Sequence, residues 1–132
     1  MLVSDAMIRN VISIRSDANA RKLLDIFLIH RIDALPVIDR NDKLIGYVPL
    51  EHLAEKLMPR FKEIIKDFAC LQDYGQLEKI FEVQWHLVEE ESNILVSDCM
   101  INNVVAVRDS ESLISAAALM VTHNLRRLPV ID

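Results

Sequence analysis

Residues 3–11, VSDAMIRNV, return as residues 96–104, VSDCMINNV, and residues 35–39, LPVID, return as residues 128–132. Both pairs stand 93 residues apart; aligning 3–39 with 96–132 needs no gap and leaves 14 of 37 positions identical. A chain that repeats itself at one offset builds one supersecondary unit twice and packs the copies against each other. No other feature of these 132 residues restricts the fold as much. It also directs the search for function to the ground between the copies.

Each copy shows a change of hydrophobic period. The β-branched stretch Val11 to Ile14 predicts a strand, and Ala20, Leu23, Leu24, Phe27 and Leu28 then follow one helical face, with Ser16 or Asp17 as the cap. His30 and Arg31 fall in the last turn, where the helix dipole favours positive charge. A second strand over 34–39, a polar turn at 40–43 and a third strand over 44–48 predict a hairpin. Pro49 ends it, and a helix starts near Glu51. The second copy follows the same plan: a strand from Val104 to Val107, a cap at Asp109 or Ser110, and a face of Leu113, Ala116, Ala117, Met120 and Val121. Its small alanines predict close approach to neighbours, and the two helices are expected to share one core. A sheet stopping at Asp132 lacks a strand, so either further residues or a partner is expected to cover that edge.

The fold class is therefore α+β, with two β-α-β-β-α repeats, the second incomplete, and a helical connector between them. The expected division is 1–53 for the first repeat, 54–93 for an acidic helical connector and 94–132 for the second repeat. Two apolar series with helical spacing, Leu53 to Phe68 and Tyr74 to Val88, account for the connector.

Charge separates these parts. Residues 1–50 hold seven basic and six acidic side chains, 94–132 three and four, and 51–93 five and ten, so the connector carries the excess that brings the chain to −5. A balanced pair of repeats offers no basic face to a nucleic acid. No apolar run approaches the roughly 20 residues of a membrane span, and the N-terminus carries no signal-peptide pattern, so no membrane insertion and a cytoplasmic location are expected. Cys70 and Cys99 lack metal or redox spacing and read as buried free thiols.

Catalytic signatures are missing. With only Gly46 and Gly75 there is no phosphate-cradling glycine loop, and no zinc or nucleophile-elbow motif occurs, so the chain is not expected to be an enzyme. His86, Glu89 and Glu90 share a helical face and read as a polar surface rather than a metal site.

The residues resemble a known family. Ser4-Asp5-x-Met7 with Asn10 to Ile14, the segment from His30 to Asp39, Lys43 to Leu53, Ser97 to Val107 and His123 to Asp132 together resemble a tandem pair of CBS domains, the arrangement called a Bateman module. The resemblance implies two repeats related by a pseudo-twofold axis, with clefts between them for AMP, ADP, ATP or S-adenosylmethionine as regulatory ligand, no required cofactor, a regulated partner protein of unknown identity, and a homodimer. In such a cleft arginine forks bind phosphate, a carboxylate accepts from ribose hydroxyls, and strand edges with apolar side chains hold adenine.

Carried onto this chain, the phosphate positions before Leu-Pro-Val are Arg126 and Arg127 in the second copy and Asp33 and Ala34 in the first. The ribose positions after Gly46 hold Pro49 and His52 where the family has a hydroxyl residue and an aspartate; proline donates nothing, and His52 retains one hydrogen-bonding role. Adenine contacts fall on Ile12, Ile14, Val105 and Val107, with Met7 and Met100 nearby. One nucleotide site, on the Arg126–Arg127 side, is expected. The altered ribose positions also fit a second reading, a ligand-free CBS-pair scaffold for dimerisation or docking.

Overall fold

The structure is a computed structural model, and it describes residues 1–57 and 93–132. Residues 58–92, which include most of the expected connector, Cys70 and the His86–Glu90 cluster, lie outside the described residues. The first copy comprises α1 (Val3–Ala6), β1 (Ile14–Arg15), α2 (Ala20–His30), β2 (Ala34–Ile38), β3 (Leu44–Pro49) and a helix over 50–57, α3. The second comprises α4 (Val96–Cys99), β4 (Val107–Arg108), α5 (Leu113–Thr122) and β5 (Val130–Ile131). Strand β1 runs parallel to β2, pairing Ile14 with Val37, and β2 and β3 form the antiparallel hairpin. Strands β4 and β5 repeat the parallel pair, Val107 opposite Val130, 93 residues on from the first.

What joins the copies is an exchange of their entry segments. The amide of Val3 donates to the Glu111 carbonyl, that of Ser4 to Asp109, and that of Leu113 to Met1, at 2.9, 2.9 and 3.0 Å. In the other direction Val96 donates to Ala18, Ser97 to Ser16 and Ala20 to Ile94, at 2.8, 3.0 and 2.9 Å. Each bond in one set is its counterpart in the other shifted by 93 residues, the reciprocity a twofold contact demands. Each entry turn is fixed in the same way: the Asp5 carboxylate accepts from the Leu2 amide at 2.8 Å, and the Asp98 carboxylate from the Leu95 amide at 2.9 Å.

The exchange accounts for two departures from the sequence expectation. Helix α2 is capped by Asn19, whose side chain accepts from the Lys22 amide, and α5 by Ser112, which accepts from the Ser115 amide. Both caps lie beyond Ser16–Asp17 and Asp109–Ser110 because residues 16–19 and 109–112 form a turn and then bridge to the other copy's entry segment before the helix begins. The first strands are likewise shorter than predicted, since β2 and β5 pair with only two residues of each. Val11, at the start of the β-branched run, is exposed.

The hairpin follows the pattern read for it. Its turn is held by Asp39, whose Oδ1 accepts from the amides of Asn41 and Lys43 at 2.8 and 3.0 Å, while Asp42 supplies a positive φ of 59°. Pro49 pairs with Ala34 at the buried end of β3, and α3 follows at once.

Packing corrects the expectation of one core shared by the two helices. Leu23 and Phe27 of α2 lie in a first cluster with Ile14, Leu35, Val37, Val48, Leu53 and Leu57. Ala116 of α5 lies in a second, smaller cluster with Val107. Each cluster borrows from the other copy: Val96 and Cys99 of α4 complete the first, and Val3 of α1 completes the second. The alanine face of α5 does not draw in neighbours as expected, for Ala117 and Val121 are exposed.

Candidate functional site

The start of β2 and the approach to β5 meet across the copies. Asp33 and Arg126 are equivalent positions, and Arg127, one residue further on, donates from its Nη1 to the Asp33 carboxylate. Nearly equivalent positions touch each other only close to the axis that relates the copies, so this ion pair marks the inter-copy seam. Both side chains keep more than half their surface in solvent, 60% for Arg127 and 53% for Asp33. Asp33 is also fixed through its backbone, its carbonyl accepting from the Leu50 amide at 2.8 Å. Arg126 is exposed and has no ion-pair partner among the described residues.

A second inter-copy junction lies along β3. The amides and carbonyls of Tyr47 and Ile101 exchange two hydrogen bonds, at 3.1 and 2.8 Å. Gly46 permits this approach: a Cβ there would stand 2.6 Å from the Ile101 carbonyl oxygen and 3.3 Å from the Met100 sulfur. His52, half-buried on α3, adds a third link through its Nδ1, 3.2 Å from the Cys99 carbonyl oxygen. A carbonyl only accepts, so Nδ1 carries the proton in this contact and Nε2 is left as the acceptor of the neutral ring. Cys99 is buried, and burial foremost pushes its thiol pKa up, with the Asp98 charge adding to the effect and Lys56 opposing it. A thiol so placed resists ionisation and reaction.

The apolar positions divide by depth. Ile14 and Val107 are buried core side chains, so what they offer at a surface is backbone. Ile12 packs half-buried against the first cluster, and Val105 is half-buried beside β4. No hydrogen bond joins His52 to Arg126 or Arg127 among the described residues. Two open depressions, one lined by Arg15, Asp17, Asn19 and Lys22 and one by Ala117, Met120, Val121 and Leu125, include none of these candidate residues.

The sequence alone puts Arg127 at a phosphate position of the second copy and Asp33 at one of the first. The structure joins them. Opposite charges at adjacent equivalent positions near a twofold were the signal, visible once the copies are set face to face.

The comparisons with known proteins agree with this architecture. The sequence model of the CBS domain matches residues 3–59 and 96–132, more than two thirds of the chain, and the chain belongs to the CBS-domain family. The CBS domain-containing protein CBSX2 of Arabidopsis thaliana is 28% identical over 126 residues, covering 94% of this chain but only 52% of that protein. Its crystal structure in complex with AMP superposes with a TM-score of 0.67 at 28% identity, covering 99% of this chain and 82% of that one. Protein MJ1426 of Methanocaldococcus jannaschii is 23% identical over 137 residues, covering all of this chain and 80% of that protein. The CBS domain pair of protein MJ0100, solved with 5'-methylthioadenosine and S-adenosyl-L-methionine, has a TM-score of 0.68 at 20% identity, covering 100% of this chain and 81% of that one, and bears on the fold alone.

Proposed function

We propose that this CBS pair is a regulatory module that binds an adenosine nucleotide between its copies and signals occupancy to a partner protein through their relative orientation. The observation that carries this reading is Arg127, a solvent-accessible guanidinium at the inter-copy seam with Arg126 beside it. A planar fork of donors binds a phosphate in two-point contact. The resemblance to CBSX2, solved with AMP, supports an adenosine ligand. Ile12 and Val105 supply half-buried apolar surface to adenine, Ile14 and Val107 supply strand backbone, and the free Nε2 of His52 accepts from a ribose hydroxyl.

The signalling follows from the seam. A ligand shifts a two-state protein only by its differential affinity for the two states. A phosphate that takes the Nη1 of Arg127 from Asp33 replaces a contact that ties the copies together, so the bound and free forms differ in an inter-copy bond. The module is non-catalytic on this reading. It acts as a homodimer, for which α2 and α5 leave Leu28, Ile29, Ile114 and Val121 exposed as apolar surface. No helix among the described residues is long and apolar enough to cross a membrane.

A ligand-free scaffold is the second reading, and one observation favours it: Arg127 and His52 are both already engaged, with Asp33 and with the Cys99 carbonyl. Thermal melts with AMP, ADP, ATP and S-adenosylmethionine separate the two. A ligand at one hundred times its dissociation constant adds about 2.7 kcal/mol, a rise of several degrees. Unchanged melting at millimolar concentrations of all four establishes the scaffold instead.

A further inference from the structure

We propose that Asp33 is the charge-selecting residue of the inter-copy site, restricting it to adenosine ligands of low negative charge, such as a monophosphate, and disfavouring the triphosphate. The proposal rests on the nucleotide reading above and specifies its ligand. Among the described residues the seam pairs the Arg127 guanidinium with the Asp33 carboxylate, and Arg126, next to Arg127 in sequence, carries a second guanidinium. A phosphate that takes the Nη1 of Arg127 displaces the carboxylate from it. The displaced carboxylate stays close, because the Asp33 carbonyl is bonded to the Leu50 amide and Ala34 begins the β2 ladder opposite Pro49. Every further negative charge on the ligand is therefore added near a fixed anion.

The partial exposure of both partners sets the size of the effect. An ion pair this open is weak, so one phosphate can compete with it successfully, whereas the repulsion from Asp33 grows with each added phosphate. Asp33 therefore grades ligands by charge without closing the site to all phosphates. The same carboxylate does not oppose a neutral nucleoside.

The test is calorimetric titration of the wild-type protein and Asp33→Asn with adenosine, AMP and ATP at one ionic strength. Asp33 is exposed and Asn is nearly isosteric, and matched melting of the two unliganded proteins verifies that the fold is retained. The wild type is expected to bind AMP more tightly than ATP. In Asp33→Asn, AMP tightens about two- to fivefold, the range of an exposed ion pair, ATP tightens by more, and adenosine is unchanged. Equal shifts for all three ligands, no shift, or weaker AMP binding overturn the role of Asp33 while leaving the nucleotide reading intact. A wild type that binds none of them, with Asp33→Asn gaining AMP, contradicts the nucleotide reading for the native protein and supports Asp33 as the barrier. Absence of binding in both overturns both.

Discussion

Arg31 ends α2 with φ at 51°, in the left-handed region where a Cβ crowds the backbone, and the equivalent Asn124 follows α5 with φ at 53°. The second copy thus holds this conformation with the residue type that tolerates it better. Arg31→Asn is expected to raise stability by up to about 1 kcal/mol, read as a higher urea midpoint at unchanged slope; Asn124→Arg should do the reverse. Asp39 supplies a pH-dependent contribution. The amide of Lys43 foremost, then that of Asn41, hold its carboxyl below the ordinary value of 3.8. A depressed carboxyl stabilises the fold above its unfolded pKa, and the contribution is lost as pH falls through the folded pKa. Asp39→Asn keeps an acceptor for both amides but does not titrate. Acid titrations of melting temperature should therefore show the wild type falling more steeply than the variant below about pH 4.

At the scale of elements, the duplicated plan was legible because periodicity reports which face of a helix or strand is apolar. The 34–49 hairpin and α3 stand where the sequence puts them, and α2 keeps its expected apolar face but starts later. Local pattern carries no information about a partner segment ninety residues away. Both helix caps therefore lie further toward the C-terminus for the same reason, the pairing of 16–20 and 109–113 with the exchanged entry segments. The sequence offers Gly46 as one of too few glycines for a phosphate loop and as the landmark for the ribose positions, yet its missing Cβ is what lets β3 meet Ile101. Gly46→Ala should break the Tyr47–Ile101 bonds and lower stability by about 1–3 kcal/mol, measured by denaturant unfolding. Val96 is fully buried in the other copy's core, and Val96→Ala should cost roughly 2 kcal/mol in the same assay.

At the scale of the molecule, the described residues form two half-built cores that complete each other. Val3 leaves the first copy to close the second, and Val96 and Cys99 leave the second to close the first. The copies should therefore unfold together. Val3→Ala, although it alters the first copy's sequence, should speed amide exchange in α5 of the second; an effect confined to residues 1–57 would contradict the exchange. The candidate site was half legible in the sequence. The arginines before Leu-Pro-Val were visible as a departure from symmetry, but their relation to Asp33 depends on proximity to the axis, which no linear pattern encodes. The central claim is that an adenosine nucleotide is held at this seam, and a crystal structure grown with saturating AMP tests it most directly. The account predicts AMP between the copies, its phosphate within hydrogen-bonding distance of the Arg127 guanidinium and Asp33 released from it. AMP bound away from the seam, or a seam unchanged with the Arg127–Asp33 pair intact and no nucleotide beside it, would contradict the account.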